Sequence, residues 1–134
     1  MNLPLIVAGS LAVVGAAIHG AGGEIFLMRK LPPAMLPSSA FGGPRTTKLM
    51  IHVTWHLTTM AFLAVGFALL LAGSILHGDI AKGIALVAAS AATGFAVIAV
   101  GLTAAYTRSL RPLVRHPGPA LLTATAALAW WGVL

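Results

Sequence analysis

The sequence predicts an all-α polytopic membrane protein, a bundle of four transmembrane helices with both termini outside. Three observations carry that expectation. Hydrophobic residues make up 59% of the 134-residue chain and charged residues only 7%, with a mean hydropathy of +0.99. An ordinary soluble domain carries about 25% charged residues. A chain this poor in charge cannot cover a water-facing surface, so its solvent is largely lipid. The apolar residues also fall into four runs close to the roughly 20 residues that a spanning helix needs. Finally, the Lys and Arg gather in alternate connections between those runs.

The runs, taken in order, define a single transmembrane domain over residues 1–134. The first spans about Leu3 to Met28, and Pro4 near its start loses no helical hydrogen bond by lacking an N–H. No positive segment precedes it and it outruns a signal-peptide core, so a retained helix is expected. The second spans about Leu49 to Gly73, the third about Ile80 to Tyr106 and the fourth about Pro119 to Leu134. The fourth is the shortest, and its Trp130-Trp131 pair suits a membrane interface. The connection Arg29–Lys48 carries Pro32, Pro33, Pro37, Gly42, Gly43 and Pro44, too many breakers for a long helix. Its Leu31, Met35, Leu36 and Phe41 suit a segment folded back on the membrane surface. Ser74–Asp79 is short, and Thr107–Gly118 holds three arginines.

Orientation follows from charge. Of the eight Lys and Arg, Arg29, Lys30, Arg45, Lys48, Arg108, Arg111 and Arg115 lie in the first and third connections, and Lys82 alone lies on the other side. The positive-inside rule therefore places those two connections in the cytoplasm and both termini outside, in a multi-pass inner-membrane protein. The formal charge of +6 and pI near 11.5 thus reflect topology and contact with membrane lipids. Nucleic acid is not expected, because no basic face with interleaved aromatics exists. The absence of cysteine excludes disulfides, thiolate catalysis, iron–sulfur clusters and Cys-type zinc sites. Small residues crowd the third run, including Gly83, Ala88, Ala92, Gly94, Ala96 and Gly101, and the first from Ala8 to Gly20. They suit close helix packing inside the bundle, with a homo-oligomer interface as the alternative.

Ionisable side chains inside a bilayer are costly and mark function by default. The first run holds His19 and Glu24, and the second holds His52 and His56. At 1.5 Å per residue, Glu24 and His52 each lie roughly 5 Å in from the cytoplasmic edge, and His19 and His56 roughly 11–14 Å in. Two rungs result, Glu24 with His52 and His19 with His56, if the two helices are neighbours. His52 and His56 are i, i+4 and share a face. His19 and Glu24 are five apart, about 140° around an ideal helix. A kink or π-bulge in Gly20-Ala21-Gly22-Gly23 would let all four converge.

Three chemistries suit the cluster. His19, Glu24, His52 and His56 form a ligand set for zinc, iron or copper. Alternatively His19 and His56 ligate a b-type haem, with the glycines making room for the ring. Either centre would support redox or metal-dependent chemistry, with Arg29, Trp55 and Tyr106 as supporting residues. The second chemistry is proton coupling in a carrier of a small solute, with Glu24 titrating and His19 relaying. The third is structural, in an accessory membrane subunit where each polar group pairs within the bundle. The outer halves of the helices hold little that is polar beyond Ser10, Thr123 and Thr125, which argues against a channel. Arg108, Arg111 and Arg115, followed by His116, form a cluster that can hold a phosphate or carboxylate at headgroup level. His77 and Asp79 read as solvated loop residues.

His19-Gly20-Ala21-Gly22-Gly23-Glu24, followed by Arg29 and later by Trp55-His56-Leu57-Thr58, resembles a pattern in small bacterial inner-membrane proteins of unknown function. The resemblance covers the first two runs and implies a four-helix membrane protein. It implies no activity.

Overall fold

A computed structural model describes residues 1–108 and 116–134, and every regular element in them is helical. Helix α1 covers Leu3–Ala17 and continues into two π-helical turns, Ile18–Gly22 and Glu24–Met28. A single 3-10 turn, Pro33–Met35, interrupts the following connection. Helix α2 covers Pro44–Ser74, α3 Gly78–Thr107 and α4 Pro117–Val133. Leu3–Met28, Pro44–Ser74 and Gly78–Thr107 are each long and apolar enough to cross a membrane. Helix α4, with 17 residues, is about 25 Å long against a hydrocarbon core of about 30 Å.

The helix ends differ from the expected ones for local reasons. Helix α2 starts five residues before Leu49, because Pro44 takes a first-turn position suited to it and Arg45–Lys48 add a polar turn that hydropathy passes over. Arg108 ends α3 in the left-handed region (φ 47°), its N–H donating to the Ala104 carbonyl. His116 caps α4, its Nδ1 accepting from the Gly118 N–H at 3.2 Å. Arg111 and Arg115 lie outside the described residues.

The chain forms two compact units, Met1–Gly15 with Leu63–Leu134, and Ala16–Phe62. In the first, parts of all four helices share one core of Leu5, Ala8, Leu69, Ala72, Ala85, Ala88, Ala89 and Ala129. Leu69 is its one large, fully buried side chain. The bulky residues Val87, Val97, Ile98 and Leu102 point outward instead. In a lipid surrounding, whose tails are as apolar as leucine, sequestering large side chains would gain little and close backbone approach would gain more. At the α1–α2 crossing, a Cβ placed on Gly9 would lie 2.7 Å from the Gly66 carbonyl oxygen. Asn2 ties three strands of chain together: its N–H donates to the Gly73 carbonyl at 2.8 Å. Its amide donates to the Gly132 carbonyl at 2.6 Å and its Oδ1 accepts from the Leu5 N–H at 3.3 Å. The two terminal tryptophans separate: Trp130 turns inward and donates to Thr93 Oγ1 at 2.9 Å, while Trp131 is exposed.

The second unit holds the π-helical turns, the connection and the first half of α2. A π-turn closes i→i+5 hydrogen bonds, which brings residues five apart towards one face. His19 and Glu24 stand in that relation, and both turn towards α2.

Candidate metal centre

The centre begins with a packing match between the π-helical segment and α2. Gly20 and Gly23 remove side chains from one face, and α2 fills the space with Thr59 and Trp55. A Cβ on Gly20 would meet the Thr59 methyl at 2.8 Å, and one on Gly23 would fall within the Trp55 indole. The indole stacks on the His19 imidazole with centroids 4.2 Å apart and planes 7° apart, and its Nε1–H donates to the His19 carbonyl at 3.0 Å. Phe62 meets the same imidazole edge-on at 5.3 Å. At Gly20 and Gly23 the room expected for a porphyrin ring is thus taken by a threonine and an indole, and at Gly22 it is open.

The network also assigns the His19 tautomer. Thr59 Oγ1 has one hydrogen, which it donates to the Trp55 carbonyl at 3.1 Å. Its 2.9 Å contact with His19 Nδ1 is therefore one in which the imidazole donates, and the proton sits on Nδ1.

With Trp55 in that place, His52 and His56 flank it on α2 at the level of Glu24. His52 Nε2–H donates to Glu24 Oε2 at 2.7 Å, and His56 Nε2 lies 3.5 Å from the same oxygen. The two imidazoles are 5.0 Å apart and tilted by 46°. Arg29 Nε donates to the other carboxylate oxygen, Oε1, at 3.1 Å. That bond fixes the orientation in which Oε2 faces the histidines. One ligand atom from each of Glu24, His52 and His56 lies within 4.8 Å of the others, a grouping able to hold a metal ion.

Of the expected rungs, Glu24 with His52 forms, while the His19 imidazole meets Trp55, Phe62 and Thr59. The shared face of His52 and His56 delivers both to one carboxylate. Arg29 and Trp55 support the site in definite ways. Tyr106 is exposed in the other unit. Thr59 and Phe62 were not expected to take part. Their signal was available, since Thr59 lies one turn beyond Trp55 and faces the glycines. Comparison with protein-family models, with curated proteins and with solved structures finds no match to this chain.

Proposed function

We propose that this is an integral membrane protein that binds a divalent metal ion through Glu24 Oε2, His52 Nε2 and His56 Nε2, with zinc or iron(II) as the resident ion. The observation that carries the reading is the convergence of two imidazoles on one oxygen of a carboxylate whose other oxygen is held by Arg29. Two histidines and one carboxylate form the ligand set of open zinc and non-haem iron sites, which keep positions for water or substrate. Hydrogen bonding to the ligating carboxylate is the usual outer support of such sites. A proton lies between His52 Nε2 and Glu24 Oε2, 2.7 Å apart. A metal at Nε2 requires that proton on Nδ1 instead. His19 acts beside the centre as a packing and hydrogen-bonding residue and not as a ligand.

The test is elemental analysis of gently purified protein beside Glu24→Gln, His52→Ala, His56→Ala and His19→Ala. The reading expects about one equivalent of metal in wild type and in His19→Ala, and none in the other three. Metal-free wild type that also fails to take up added zinc or iron would sink it, and would turn attention to proton exchange between Glu24 and His52.

A further inference from the structure

The first unit carries a cavity of its own, of about 320 Å³, where the start of α1, the end of α2, the start of α3 and the end of α4 meet. That volume is at the lower end of the about 300–1,000 Å³ of small-molecule sites. It has room for a small anion or a lipid headgroup and none for acyl chains. Buried Leu5 and Ala85 line it together with the exposed side chains of His77 and Lys82.

The charges at this end sort by sign. Gly78, Ala81, Lys82 and Ala85 all line the cavity, and their spacing of i, i+3, i+4 and i+7 is one face of α3. Asp79, in the first turn of the same helix, is off that face and does not line the cavity. It precedes Lys82 by three residues, a spacing that allows an ion pair. Every ion pair among the described residues is nevertheless made by Glu24, so Lys82 has no carboxylate partner. His77, at the turn into α3, makes no capping bond with its side chain. An ammonium has three donors and no acceptor, and a neutral imidazole has one donor.

Topology does not account for Lys82. The other seven Lys and Arg lie in the two connections that the positive-inside rule assigns to the opposite side. A lone lysine at this end, with its counter-charge missing, points to an anion in the cavity beside it. Lysine binds phosphate as a point charge, whereas a planar carboxylate favours the fork of an arginine, and no arginine lies near this end in the sequence.

We propose that this cavity holds a phosphate group, with Lys82 Nζ as its counter-charge and the His77 imidazole as a second donor. A lipid headgroup at the membrane interface and a free phosphate ion offer the same chemistry. The site is independent of the metal reading, whose ligands belong to the other unit.

The experiment uses the full chain, labelled with nitrogen-15 histidine, in maltoside micelles, which bring no phosphate of their own. The His77 signals, identified by their loss in His77→Gln, are followed during titration with inorganic phosphate, with phosphatidylglycerol dissolved in the micelles, or with acetate. Lys82→Gln is expected to raise the midpoint at least about tenfold, the loss of one charge-assisted bond, and Lys48→Gln to leave it unchanged. A Lys82-dependent response to inorganic phosphate identifies the free ion as the source, and one to phosphatidylglycerol alone identifies the headgroup. Acetate acting as readily as phosphate, equal midpoints in wild type and Lys82→Gln, or His77 signals indifferent to both phosphate probes would overturn the proposal.

Discussion

Replacing Gly23 by alanine adds one methyl group to a backbone that accepts it, at φ −63° and ψ −38°. On helix propensity alone the change would stabilise the protein by about 0.8–1 kcal/mol. The structure reverses the sign. The new Cβ would meet Cζ2, Cε2 and Nε1 of Trp55, an overlap at the upper end of the about 1–3 kcal/mol that an inserted methyl group costs. Moving the indole aside would also break its bond to the His19 carbonyl, worth about 1 kcal/mol. Gly23→Ala should therefore destabilise by about 2–3 kcal/mol in wild type. In a Trp55→Ala background the obstacle is gone, and the same change should stabilise by up to about 1 kcal/mol. The coupling between the two positions is then about 3–4 kcal/mol, well above the error of a double-mutant cycle. Reversible unfolding in mixed micelles, followed by far-ultraviolet circular dichroism, measures all four proteins. An equal cost for Gly23→Ala with and without Trp55 would refute the packing on which the geometry of the metal centre depends.

Nitrogen-15 spectra of labelled histidines should show His19 as the Nδ1–H tautomer with and without zinc. His52 should pass from Nε2–H to Nδ1–H on loading, and a change at His19 would mean that it is a ligand after all. Gly66→Leu should destabilise the first unit by about 1–3 kcal/mol or more, because its Cβ would meet Val13 and the Gly9 carbonyl; unfolding midpoints check this. Asn2→Ala should cost about 1–2 kcal/mol, through loss of the α1 cap and of the bond to the Gly132 carbonyl, measured in the same assay. Charge asymmetry expects Ser39→Cys to resist a membrane-impermeant maleimide in intact cells and His77→Cys to react; the opposite labelling would invert the topology.

The helical class and the places of its elements were readable from hydropathy, because apolar runs of about 20 residues separated by short breaker-rich connections leave few solutions other than helices. Helix ends were less so: the polar turn Arg45–Lys48 is helical behind Pro44, a first-turn residue, and an apolar count ignores it. At the site, residue type and depth brought Glu24 and His52 together correctly, and the distortion at Gly20–Gly23 followed from composition. The partner of His19 did not. Depth along the axis cannot tell which of two neighbouring residues on α2, Trp55 or His56, faces the glycines. That depends on azimuth, and the deciding signal is volume: an indole needs the gap two glycines leave, and an imidazole does not. Trp130 shows the same limit, since its composition suits an interface while Thr93 offers it a hydrogen-bond acceptor inside.

A π-turn is a helix carrying one residue more than its turn requires. Removing that residue restores ordinary winding, in which residues four apart share a face as residues five apart do in the π-turn. Gly22, where an added Cβ would meet nothing within 4 Å, is the position that can be lost with least direct damage to packing. Its deletion would leave every ligand in the chain and set His19 and Glu24 four apart, so that both would still turn towards α2. The geometry of the centre therefore depends on spacing and winding together, and a relative lacking one residue between His19 and Glu24 would present the same face through an ordinary helix.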